Sequence, residues 1–158
     1  MSELLEKLVT VLGQQLKRQG LRLATAESCT GGGLSYWITS VPGSSDWFER
    51  GFVTYSNAAK IEMLGVNSDI LKKYGAVSAE VAREMAEGVL AHSPADISIA
   101  ITGIAGPTGG SIEKPVGTVY IAWAKRDDIT QTEMAVYSGD RQAIRHQAIQ
   151  QALEKIRL

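Results

Sequence analysis

Residues 96–124 read DISIAITGIAGPTGGSIEKPVGTVYIAWA. Two β-branched, apolar runs, DISIAITG and VGTVYIAWA, flank a connection rich in Gly and Pro and too broken to hold a helix. Parallel neighbours need a long crossover, usually helical, so these two strands are expected to run antiparallel. KRDDI (125–129) then turns the chain into TQTEMAVYS (130–138), a strand opposed to the second and hence parallel to the first. DISIAITG is apolar enough to lie inside a sheet covered on both faces.

Upstream, LRLATAE (21–27) reads as a short buried strand, SCTGGG (28–33) as a tight turn, and LSYWITSV (34–41) as a helix that Pro42 and Gly43 break. GFVTYS (51–56) is a second strand by its β-branched and aromatic content, and Asn57 is the expected N-cap of the helix AAKIEMLG (58–65). A helix from Ser78 to Ala91 carries Val81, Met85 and Val89 on one stripe. At the start, Leu4, Leu5, Leu8, Val11, Leu12 and Leu16 recur at helical spacing up to Gly20. At the end, Ile144, Ala148, Ala152 and Ile156, widened by Ile149 and Leu153, mark a helix over 140–158. The sum is an α/β chain: a three-layer α/β/α sandwich around a mixed, mainly parallel five-stranded sheet containing one antiparallel strand. Its 158 residues fit a single domain over 1–158.

Composition narrows the function classes. A net charge of −1 argues against a general nucleic-acid binder, which needs a surplus of Lys and Arg on one face. Hydrophobic residues at 44% and charged residues at 21% suit a soluble globular protein. No run approaches the roughly 18 apolar residues of a membrane span, and the first 20 residues read as an amphipathic helix, unlike a signal peptide. The single cysteine, Cys29, excludes an intrachain disulfide and fits a reducing, cytoplasmic setting.

Chemistry concentrates at three places. TAESCTGGG (25–33) lies at the carboxyl end of the first strand and the start of the next helix, the edge where open α/β sheets bind ligands and where free N–H groups face an anion. The glycines alone are equally explained by a tight turn, and Ser28 alone by a helix cap. Neither a triphosphate-loop nor a dinucleotide fingerprint is present. Ser28 needs a base, and neither His92 nor His146 stands in a motif that builds a Ser-His-acid triad. Lys60 falls in the first turn of its helix, where the dipole disfavours an ammonium. Partly buried, it can serve as a neutral base toward a hydroxyl; otherwise it is a solvated surface lysine. Tyr55, just before it, can orient the pair or pack in the core. TGIAGPTGG (102–110) ends another strand, and two glycine-rich turns at one sheet edge suggest the walls of one cleft. Arg141 and Arg145, one turn apart, can offer a charge-assisted fork to a phosphate or pair with surface acids.

Together TAESCTGG, GFVTYSNAAK, GAVS (75–78), GIAGPTGG, KPVGTV and GDR are similar to the CinA C-terminal domain family, to which bacterial nicotinamide mononucleotide deamidases belong. The resemblance runs from the first helix to the last. It implies a homodimer that hydrolyses nicotinamide mononucleotide to nicotinic acid mononucleotide and ammonia; with the composition, the expectation is a cytoplasmic protein with no metal or other cofactor and no nucleic-acid or membrane partner. It puts the serine nucleophile on Ser28, the lysine base on Lys60 and the adjacent tyrosine on Tyr55. The pocket is expected from Glu27, Cys29, Thr30, Gly31 and Gly32 on one side, Thr102, Gly103, Ala105 and Gly106 on the other, with Arg141 and Arg145 at the phosphate. Two rival readings are Cys29 as nucleophile, favoured by a helix start, and a non-catalytic nucleotide-sensing or partner-binding domain.

Overall fold

A computed structural model describes residues 2–158. Helix α1 (Ser2–Gln19) leads into β1 (Leu23–Glu27), α2 (Gly33–Thr39), a 3-10 turn (Ser44–Asp46), β2 (Phe48–Val53), α3 (Asn57–Leu64), α4 (Ser68–Tyr74), α5 (Ala79–Ala91), β3 (Ile97–Gly103), β4 (Thr118–Lys125), β5 (Gln131–Val136) and α6 (Arg141–Glu154). The sheet order is β2-β1-β3-β4-β5. β1 pairs in parallel with both β2 and β3, while β4 opposes β3 and β5. One strand of five is thus antiparallel, as the helix-free connection at 104–117 requires.

The two faces of the sheet differ in the size of what they carry. Leu23, Ile97, Ile99, Ile101, Ile121 and Trp123 point into a core closed by α1, α2 and α6. Across the pleat the register aligns Ala24 with Ser98 and Ala124, and Ala26 with Ala100 and Ala122. This row of small side chains makes room for Val81, Met85 and Val89 of α5, flanked by Leu64 of α3 and Leu71 of α4. Each fully buried Leu, Ile or Met contributes about 1.5–3 kcal/mol, so both faces hold their helices by burial more than by propensity. Gly88 matters in this layer: a Cβ there would collide with the Leu64 carbonyl, so its absence lets α3 dock against α5. That docking sets the direction in which Lys60 points.

Several expectations shift in detail. In α1 the buried face is Leu5, Val9, Leu12 and Leu16, whereas Leu4 and Val11 are exposed. β2 begins at Phe48, three residues earlier than its β-branched content suggests, because this edge strand carries the polar pair Glu49 and Arg50. Ser56, and not Asn57, caps α3, its hydroxyl accepting from the Ala59 N–H at 3.0 Å. Helix α4 has no counterpart in the sequence reading; its signal is Asn67, whose side chain accepts from the Asp69 and Ile70 N–H groups. Trp47 and Trp123 are core residues, the latter donating to the Ala152 carbonyl at 3.0 Å. Among the described residues no helix is long and apolar enough to cross a membrane.

Candidate active site

The site lies at the carboxyl edge of the parallel strands. After β1 the chain leaves to α2 on one face, and after β2 to α3 on the other, which opens a crevice at the end of β1. The backbone pins this point from both sides: the Ser28 N–H donates to the Ile101 carbonyl at 3.0 Å, and the Thr54 N–H to the Glu27 carbonyl at 2.8 Å. Gly31 and Gly32 then take the left-handed conformation, with φ of 58° and 98°, turning the chain into α2 in a way side-chain-bearing residues resist.

Ser28 and Lys60 meet here. Lys60 is only 1% exposed although it is a lysine, and Ser28 is 8% exposed. The Lys60 Nζ lies 3.0 Å from Ser28 Oγ, 3.0 Å from the Thr54 carbonyl and 3.1 Å from the Tyr55 carbonyl. The two carbonyls accept two N–H bonds, so in the neutral amine the remaining lone pair faces the serine hydroxyl. Burial holds the Lys60 pKa below the ordinary lysine value of 10.5. The Ser56 cap puts Lys60 one position deeper in α3 than expected, where its N–H bonds the Ser56 carbonyl at 3.2 Å.

The remaining expected residues divide by what they touch. Tyr55 brings its carbonyl to Lys60, but its side chain is 63% exposed and its hydroxyl accepts from Arg141 Nη2 at 3.4 Å. Arg141 also donates through Nη1 to the Gly106 carbonyl at 2.6 Å, tying α6 to the second turn. Arg145 donates to the Thr30 carbonyl at 3.2 Å, so it binds the first turn. Gly103 ends β3, and Ala105 is buried in the wall behind it.

The side chains of Glu27, Thr30 and Thr102 point inward, away from the crevice. Both Glu27 oxygens are filled by donors of the turn and of α2, Thr30 gives its hydroxyl to Glu27, and Thr102 gives its own to the Ala76 carbonyl. Cys29 is buried, and desolvation pushes its thiol up to about 12, so a thiolate nucleophile is disfavoured at neutral pH. Three contributors escaped the sequence reading. Thr54 acts through a backbone carbonyl, which no residue type announces; Ser35 supplies two bonds to Glu27; Lys114 fastens the second turn by donating to the Tyr74 carbonyl at 2.8 Å. A cavity of about 630 Å³ lies at the opposite edge of the sheet, lined by Trp123, Ile129, Glu133 and Leu158 among others, and includes none of these residues.

Residues 5–158 match the model of the CinA C-terminal domain family. The chain is 52% identical over 155 residues to the Escherichia coli K12 protein named nicotinamide-nucleotide amidohydrolase PncC, covering 98% of this chain and 93% of that one. It is 56% identical over 138 residues to a CinA-like protein of Akkermansia muciniphila, covering 87% of this chain but only 33% of that longer protein. The crystal structure of the competence/damage inducible protein CihA from Agrobacterium tumefaciens superposes with a TM-score of 0.93 at 43% identity, over 96% of this chain and 92% of that one. The chain belongs to the CinA C-terminal domain family.

Proposed function

We propose that this chain is a nicotinamide-nucleotide amidohydrolase, converting nicotinamide mononucleotide to nicotinic acid mononucleotide and ammonia. Two relatives more than half identical to it and matched over most of their length, from Escherichia coli and Enterobacter agglomerans, carry that activity in their names. The observation that carries the mechanism is the buried lysine amine 3.0 Å from a serine hydroxyl with its other two contacts taken by carbonyls.

In this reading neutral Lys60 takes the Ser28 proton as Oγ attacks the carboxamide carbon. The tetrahedral oxyanion is held by backbone N–H groups of the glycine-rich turn. The Lys60 ammonium returns the proton to the amide nitrogen, the C–N bond breaks and ammonia leaves a Ser28 ester. Water, deprotonated by Lys60, cleaves the ester to the carboxylate and restores Ser28. Arg141 receives the phosphate, with the Gly106 turn as the facing wall. The reading includes a cytoplasmic homodimer that needs no cofactor.

The test is ammonia release by the purified protein on nicotinamide mononucleotide, with nicotinamide and NAD as controls. Release that Ser28→Ala abolishes while circular dichroism is unchanged supports the proposal. Tight nucleotide binding without ammonia would favour a sensing domain instead.

A further inference from the structure

The Ser28 turn is held from underneath by a carboxylate that the mechanism above does not use. Glu27 is fully buried at the end of β1. Its Oε1 accepts from the Thr30 hydroxyl at 2.7 Å and the Leu34 N–H at 2.8 Å; its Oε2 accepts from the Ser35 N–H at 3.0 Å and the Ser35 hydroxyl at 2.9 Å. Four donors on one buried carboxylate join the strand, the turn and the first turn of α2 into one unit. The network continues to Thr25, whose hydroxyl lies 3.0 Å from Ser35 Oγ, and Gly51 of β2 makes room for it, since a Cβ there would collide with that same oxygen. From the opposite side Arg145 grips the Thr30 carbonyl at 3.2 Å, so Thr30 is fastened at both its side chain and its backbone.

The hydrogen bonds of the turn leave a defined remainder. Ser28, Gly31 and Gly33 donate their N–H groups to backbone carbonyls, and Leu34 and Ser35 donate theirs to Glu27. The N–H groups of Cys29, Thr30 and Gly32 have no such acceptor among the described residues. A turn that spends its other N–H groups within the protein and keeps these three is a candidate cradle for an oxyanion, provided its shape is fixed before the reaction.

We propose that Glu27 is a positioning residue: without touching substrate, its buried carboxylate fixes the turn that carries Ser28 and its unspent N–H groups. This inference rests on the amidohydrolase reading above. In Glu27→Gln the amide oxygen can keep the Thr30 and Leu34 bonds, but the amide NH2 faces the Ser35 N–H, donor against donor. The turn then relaxes, and a misplacement of about 1 Å costs about a hundredfold in rate.

The test is steady-state ammonia release by Glu27→Gln on nicotinamide mononucleotide, at a temperature where circular dichroism shows it fully folded. The expected result is a kcat about a hundredfold below wild type with KM within about threefold, and the fully folded circular dichroism signal excludes a smaller folded fraction as the cause. A folded Glu27→Gln with wild-type kcat overturns the proposal and leaves the amidohydrolase reading standing. Wild-type protein that releases no ammonia overturns both. If Glu27→Gln does not fold, Thr30→Val and Thr30→Ser decide. Valine fills the buried space of the threonine but loses the hydroxyl, while serine gives up one methyl and keeps it, so kcat for Thr30→Ser is expected to exceed that of Thr30→Val about tenfold. Equal values overturn the role.

Discussion

From Glu27 to Thr30 the chain buries a carboxylate, two hydroxyls and a thiol in succession, whereas from Pro107 to Glu113 every residue of the facing wall is exposed, with Ile112 fully in solvent. The first wall is braced by the β1 ladder, by Glu27 and by Arg145. The second hangs from the Arg141 bond to Gly106 and the Lys114 bond to Tyr74. The contrast separates two demands. A nucleophile and its base must be held to a fraction of an ångström before substrate arrives. A wall that only contacts the ligand can close over it, and loops of few buried contacts open at low cost.

Changing the braced wall should therefore damage the chemistry, and changing the hanging wall should damage binding. The largest effect is expected from Lys60→Met, which keeps most of the buried stem and removes the base: kcat falls about ten-thousand-fold in a single-turnover assay, as it does for Ser28→Ala. A loss in KM alone would break the comparison. Next comes Arg141→Ala, which removes the charge-assisted donor assigned to the phosphate and the latch on Gly106. KM is expected to rise about thirtyfold with a smaller change in kcat. The same variant should gain little from nicotinamide riboside, the substrate without phosphate, against which wild type and variant differ by less than about threefold. A smaller effect concerns stability. Burial lowers the folded-state pKa of Lys60 below its unfolded value of 10.5, so in the window between the two the unfolded chain binds more protons. Stability should rise with pH across that window in wild type relative to Lys60→Met, and parallel urea midpoints for the two proteins would contradict it. The smallest change is expected at Cys29: the Cys29→Ala kcat stays within about threefold of wild type, because the thiol is a packing group in the braced wall.

The sequence carried the strands and their directions because their polarity alternates or vanishes on schedule and the 104–117 connection cannot form a crossover. Ser28 and Lys60 stood out only through the family resemblance, since each alone also read as a helix cap or a surface lysine; their 3.0 Å approach is a product of the fold. The sequence did not carry the inward turn of Glu27, Thr30 and Thr102, which depends on the pleat of β1 and β3 and on the register with neighbouring strands. The way Tyr55 reaches Lys60 was not legible either: it does so through its carbonyl, and side-chain identity says nothing about where a carbonyl points. Helix α4 escaped because its seven residues are too few to display a period, leaving only the Asn67 cap as a trace.

The most direct test of the central claim is the pH dependence of kcat/KM for ammonia release by wild type and by Lys60→Met. An uncharged Lys60 acting on Ser28 predicts that wild-type activity rises with pH through one ionisation below lysine's ordinary 10.5 and then levels, and that Lys60→Met is inactive throughout. A Lys60→Met enzyme that keeps both the activity and the same acid limb would contradict it.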